Sequence, residues 1–254
     1  MIELVDTILT HHHYRLTVPA ETTAPGRLVR LVRRRIAGRA DPAKAPQMQA
    51  YMKSALPYRG VTSVPLRGLL TEVYDAHPLA DRGDWEAAVR ELWDDAAYRE
   101  ERYAAMALAS DPRYLAHQDP HALEPYRHLV VTGAWWDYVD PLASRNVGRI
   151  LASHREVVTS LMLTWSASDD LWLRRTAILC QLHHEEGTDL ELLSQVVTTN
   201  LEGSRYGSEF FVRKAIGWAL RQHARTDPEW VRTFVVEHDA GLSPLSRREA
   251  LKHL

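Results

Sequence analysis

Apolar side chains along this chain recur at intervals of three and four, and seldom at two. Trp85, Val89, Leu92 and Trp93 make one such run, and Leu192, Leu193, Val196 and Val197 another. That spacing gathers apolar groups into one stripe of an α-helix, whereas a half-buried strand needs strict alternation. Prolines fall mostly between the periodic segments, at Pro120, Pro125, Pro141, Pro228 and Pro244, where they start or end helices. The pattern predicts a mostly helical chain. Residues 1–26 fit it poorly: they hold His11-His12-His13 and a Thr/Pro/Ala-rich piece from Thr17 to Pro25. The expected organisation is an N-terminal extension over 1–26 and one domain over 27–254.

A weak internal repeat refines this. Glu101-Arg102-Tyr103-Ala104-Ala105, Leu173-Arg174-Arg175-Thr176-Ala177, Val212-Arg213-Lys214-Ala215-Ile216 and Ser246-Arg247-Arg248-Glu249-Ala250 each join basic or aromatic residues to small ones. Their spacing suggests a unit of roughly 35 to 40 residues, with the skipped unit at Tyr138, and that period suits helix pairs stacked in a HEAT-like solenoid. Equivalent helices of such a stack line one concave wall. Asp140, Arg175 and Trp218 then fall on successive inner helices and converge on one groove.

The chain has 254 residues, 45% of them hydrophobic, enough to bury a core without disulfides or metal. Cys180 is the only cysteine, and its apolar neighbours Ala177, Ile178 and Leu179 mark it as a small core residue of a reducing compartment. No apolar run approaches the roughly 18 residues of a membrane span, and the N-terminus lacks the basic and apolar regions of a signal peptide. The expected setting is cytoplasmic, at the nucleoid. A net charge of -2 argues against a strongly cationic nucleic-acid binder. Its distribution argues the other way: Arg27, Arg30, Arg33, Arg34, Arg35 and Arg39 crowd one segment, further basic pairs lie at Arg174-Arg175, Arg213-Lys214 and Arg247-Arg248, and acidic residues collect between Glu91 and Glu101.

Candidate chemistry centres on Trp135-Trp136-Asp137-Tyr138-Val139-Asp140. Helical geometry puts Trp136 and Asp140 on one face within reach of each other. An indole face beside a carboxylate suits a cation. Trp135 points about 100° away and is the better core candidate. Each residue alone has a plain structural explanation: a tryptophan packs, Asp140 before Pro141 ends or starts a helix, and Arg175 makes a surface ion pair. The adjacent His11, His12 and His13 lack a metal-ligand geometry, and His183-His184-Glu185-Glu186 before Gly187 reads as a helix C-terminus. No Gly-rich phosphate loop or Cys-rich site occurs, so neither cofactor nor metal is implied.

Over roughly residues 45 to 254 the chain resembles the AlkD-like DNA alkylation repair family, the HEAT-repeat DNA glycosylases. The resemblance runs in order through Met48 to Lys53, Arg90 to Asp94, Trp135 to Asp140, Leu171 to Leu179, Phe210 to Leu220 and Leu245 to His253. It implies an all-α, right-handed α-α superhelix of HEAT-like repeats with a concave DNA-binding groove. It places the catalytic carboxylate on Asp140, its tryptophans on Trp136 and Trp218, and on Arg175 an arginine that holds a phosphate. Tyr51 matches the tyrosine of the first motif. Lys53, Arg174, Arg213, Lys214, Arg247 and Arg248 are the expected DNA contacts. The implied partner is double-stranded DNA containing alkylated purines, bound by a monomer with no cofactor, and the lesion can remain stacked during excision. Some members of the family protect the producers of minor-groove alkylating antibiotics by removing bulky adducts.

Two features depart from the family pattern. The lead-in followed by Arg27 to Arg39 is either an ordinary first helix or an added backbone clamp. The loop Glu202-Gly203-Ser204-Arg205-Tyr206-Gly207-Ser208 is either tolerated growth or brings Arg205 and Tyr206 to the DNA. The competing reading of the whole chain is a non-catalytic helical scaffold for damaged DNA or protein partners.

Overall fold

The computed structural model describes residues 22–254. Among them there are fourteen α-helices, a few short 3-10 turns and no strand. The first five are α1 (Ala24–Ala37), α2 (Ala45–Met52), α3 (Ser63–Ala76), α4 (Arg82–Asp94) and α5 (Arg99–Ala109). The middle of the chain forms α6 (Leu123–Gly133), α7 (Trp136–Pro141), α8 (Gly148–Ser153), α9 (Arg155–Ser166) and α10 (Leu171–Leu179). The last are α11 (Leu190–Thr198), α12 (Phe210–His223), α13 (Pro228–Glu237) and α14 (Pro244–Ala250).

Local chemistry explains six of the fourteen helix starts. Thr23, Asp81, Asp170, Asp189, Asp227 and Ser243 sit at N-caps, and their side chains accept bonds from the unpaired N–H groups of the first turn. Pro228 and Pro244 open α13 and α14, where a missing N–H costs nothing. The apolar stripe then buries: Trp85, Ala88, Val89, Leu92 and Trp93 of α4 are inside, as are Leu192, Leu193, Val196 and Val197 of α11.

The helices stack as a helical-repeat superhelix. α1 packs on α3, α4 and α5, α9 on α10 and α11, and α12 on α13 and α14. The recurring sequence units fall on α5, α7, α10, α12 and α14, and α7, α10, α12 and α14 touch in that order. One contiguous apolar core runs from Leu28 to Ala250. Two helical glycines allow close approaches between elements of the stack. A Cβ at Gly148 of α8 would lie 2.3 Å from the Cys180 carbonyl oxygen, and one at Gly217 of α12 would lie 2.6 Å from Glu249 Cβ of α14. Cys180 is a free, fully buried thiol, and burial pushes it up to about 12.

Several expectations change here. α1 begins at Ala24, so the end of the expected extension supplies its cap and first turn. His11, His12 and His13 lie outside the described residues. α10 ends at Leu179 rather than near Gly187. The residue with left-handed backbone is Glu185, at φ 51°, and the His184 ring pairs with the Gly148 carbonyl at 2.9 Å. The acidic residues between Glu91 and Glu101 divide: Asp94 and Asp95 are exposed, whereas Glu100 and Glu101, in the first turn of α5, are buried. Pro141 does not end the helix that carries Asp140. The chain continues through a π-helical segment, Leu142–Val147, into α8. Proline lacks the N–H that would bond one turn back, and the ladder re-forms in wider register beyond it. The Ser144 hydroxyl donates to the Asp140 carbonyl at 2.8 Å.

Candidate functional site

Asp140 ends the first part of this interrupted helix and meets Arg175 from α10 in a two-pronged ion pair. Arg175 Nε donates to Asp140 Oδ1 at 2.7 Å, and Nη2 donates to Oδ2 at 2.8 Å. Nη1 of the same guanidinium donates to the Phe211 carbonyl at the start of α12. Both residues are buried, Asp140 at 9% exposure and Arg175 at 4%. Parallel charge-assisted bonds of this kind fix direction as well as distance. Burial pushes the Asp140 carboxyl above its ordinary value, Arg175 pulls it back, and the Asp137 carboxylate adds a smaller upward push. Arg175 is thus spent on Asp140 and a backbone carbonyl. That geometry does not support the expected grip on a phosphate.

The Arg175 guanidinium lies 5.8 Å from the centre of the Phe211 ring, and tryptophans stand on or beside the same helices. Trp136 is half-buried and opens α7, one turn before Asp140 on the same face. Trp218 is half-buried on α12, two turns beyond Phe211 and on nearly the same face. Trp135 packs on the core as expected, but from extended backbone just before α7 and not through a helical phase. Its ring lies 6.3 Å from that of Trp172 and 5.5 Å from Phe211. The Asp140–Arg175 contact therefore backs onto an aromatic wall. A carboxylate held this way, with indoles nearby, can stabilise a neighbouring cation and orient a water.

The expected DNA contacts divide. Tyr51 is 76% exposed on α2, Lys53 is exposed just beyond it with left-handed backbone, and Arg248 is exposed on α14. Arg213 is half-buried, Lys214 pairs with Glu249 at 3.2 Å, and Arg247 pairs with Asp239 at 2.9 Å. Arg174 is a correction. It is buried, and its guanidinium donates to the Ser168 carbonyl at 2.5 Å, the Ala167 carbonyl at 3.0 Å and Asn200 Oδ1 at 3.1 Å. Adjacent residues on a helix point about 100° apart, so only one of Arg174 and Arg175 can face Asp140. The other staples the turn between α9 and α10.

The loop 202–208 is also committed within the molecule. Arg205 pairs with Asp169, and the Tyr206 hydroxyl donates to the Asp169 carbonyl at 2.6 Å. Among the arginines of α1, Arg33 pairs with Glu101 at 3.0 Å and Arg35 with Glu72.

Sequence reasoning missed a second polar cluster beside the first. Asp137 Oδ1 accepts from Arg99 Nη2 of α5, and Oδ2 accepts from the Tyr103 hydroxyl, both at 2.6 Å. Tyr103 is therefore the acceptor for Arg99 Nε at 3.0 Å and for the Tyr58 hydroxyl at 2.7 Å. Burial and the Asp137 carboxylate together hold the Tyr103 phenol well above its usual value. The one available clue was that Asp137 lies one turn from Asp140. The partner helix was not legible. A cleft of about 810 Å³ opens on this cluster, lined by Met52, Leu66, Leu70, Tyr103, Met106 and Pro141 among others, with Asp137 at its edge. Among the described residues no group of three His, Cys, Asp or Glu is placed to hold a metal. No helix there is long and apolar enough to cross a membrane.

The family described as DNA alkylation repair enzyme matches residues 32–254. A solved structure described as a predicted DNA alkylation repair enzyme from Enterococcus faecalis is 28% identical, with a TM-score of 0.75 over 85% of this chain and 96% of that one. No curated protein matches the chain.

Proposed function

The chain belongs to the DNA alkylation repair enzyme family, and on that premise we propose that it is a monofunctional glycosylase for cationic N3- and N7-alkylpurines in double-stranded DNA. The observation that carries this reading is the buried Asp140 carboxylate, held by the Arg175 fork beside Phe211 and one helical turn from Trp136. Alkylation makes the purine a cation and a good leaving group, and the sugar develops oxocarbenium character as the glycosidic bond breaks. The base leaves with the bonding electron pair and becomes neutral. A water adds to the anomeric carbon and gives up a proton. Asp140 opposes the positive charge on the sugar and orients that water, while Trp136 and Trp218 place π-faces against the cationic nucleotide, each worth roughly 0.5–2 kcal/mol. Arg175 acts here as the anchor of the carboxylate. Tyr51, Lys53, Arg213 and Arg248 hold the DNA backbone, so that excision does not require the lesion to leave the stack.

The cleft beside Asp137 and Pro141 supports a wider substrate range that includes bulky minor-groove N3-alkyladenines, and with it a self-resistance role. Base release from DNA carrying 7-methylguanine or 3-alkyladenine tests the core reading. Wild-type protein is expected to release base well above the spontaneous rate, and Asp140→Asn to lose roughly a hundredfold or more while still binding DNA. Release at the spontaneous rate, or equal rates for both proteins, overturns the reading. If the same preparation removes methyl lesions but not a bulky adduct, the wider range is wrong.

A further inference from the structure

The first turn of α5 carries three consecutive buried charged residues, each committed to a different part of the molecule. Glu101 pairs with Arg33 of α1. The Glu100 carboxylate accepts from the backbone N–H groups of Arg59, Gly60 and Val61 at 2.9–3.0 Å. Arg99, with its side chain 6% exposed, reaches Asp137 on α7. Its remaining nitrogen donates to Ser54 Oγ at 3.0 Å, and its guanidinium lies 4.2 Å from the centre of the Tyr138 ring. Arg99 thus ties the segment just after α2, which follows Tyr51 and Lys53, to the turn that bears Asp140.

We propose that Arg99 is a positioning residue for Asp140: by clamping Asp137 with the help of Tyr103, it fixes the place of that helical turn and neutralises the second carboxylate beside the first. The inference rests on the glycosylase reading for its functional consequence, but not for its physical content. Asp137 and Asp140 are one turn apart on the same helix, and two like charges so close disfavour each other's ionised form. Among the described residues, the charged groups acting on the Asp140 carboxyl are Arg175 from α10 and Asp137 from its own helix. Those facing Asp137 are Arg99 and Tyr103 from α5, with Tyr58 behind Tyr103, Tyr138 under Arg99, and Arg102 at 5.9 Å from the Tyr138 ring. Removing the Arg99 charge leaves Asp137 uncompensated, and the excess negative charge falls on Asp140. The active form is the carboxylate, so the acid side of the activity profile moves to higher pH.

The test is the titration of the Asp140 carboxyl by carbon-13 NMR in aspartate-labelled full-length protein, its signal assigned through Asp140→Asn, together with the pH profile of excision. Arg99→Met is expected to raise the Asp140 midpoint by about one unit and shift the acid limb of excision equally. Adding Asp137→Asn to that variant is expected to return both to the wild-type position or below. An unchanged midpoint in Arg99→Met, or no reversal in the double variant, overturns the proposal. If Arg99→Met does not fold, Asp137→Asn alone decides: the Asp140 midpoint falls, and an unmoved midpoint overturns the proposal. Failure of the glycosylase reading is distinguishable, because wild-type protein would then release no base while the titration still reports on Arg99.

Discussion

Neighbouring arginines on α10 do opposite work, and the difference comes from where a helix points them. Arg175 faces the site and holds Asp140, whereas Arg174 turns away and satisfies the Ala167 and Ser168 carbonyls and Asn200. Burial also presses Arg174 below its ordinary value, as expected for a charge held chiefly by neutral acceptors. Arg174→Ala leaves a buried amide and two carbonyls short of donors, which costs on the order of 1–3 kcal/mol. The expected outcome is a lower thermal midpoint with unchanged DNA affinity in the folded protein. Weaker binding at full stability would return Arg174 to the DNA surface. Asp140 shows why the residue scale matters for chemistry: the fork that orients it also opposes the burial that would neutralise it.

Helix packing sets how precisely these side chains are held. The helix bearing Asp140 runs from Trp136 through the π-helical segment into α8, and α8 is pinned where Gly148 meets the Cys180 carbonyl. Gly148→Val has no room there and forces the helix off α10, at a cost of roughly 1–3 kcal/mol. Thermal unfolding should show a clear drop, while Gly68→Ala, at an exposed position of α3 with nothing within 4 Å, should be neutral or slightly stabilising. Equal behaviour of the two variants would mean that the α8–α10 approach is not a tight constraint. Apolar periodicity and the prolines of α13 and α14 were legible in the sequence because they act over one or two turns. The π-helical segment was not: Pro141 announced an interruption, and only packing on both sides of it decided that the helix continues.

Across the whole molecule, a net charge of -2 hides local order. Several basic residues are consumed by internal pairs, including Arg33 with Glu101, Arg205 with Asp169 and Lys214 with Glu249. Of the basic residues expected to contact DNA, Lys53 at the end of α2 and Arg248 on α14 stay exposed, toward opposite ends of the described chain. If both contact DNA phosphates, Lys53→Ala and Arg248→Ala should each weaken binding of all sequences alike and reduce the log–log salt slope by about one. A slope unchanged in both variants would place the DNA elsewhere or favour a protein partner.

The sequence by itself determined the helical repeat, the phase of Trp136 against Asp140, the likeness to a repair family and the burial of Cys180. All four depend on spacing along one chain. Tertiary structure alone decided that Arg175 anchors the carboxylate, that Arg174 is structural, and that Arg99, Tyr103 and Tyr58 close around Asp137. Those contacts join residues that lie dozens of positions apart, where the direction of a side chain depends on how helices cross and not on the residues beside it.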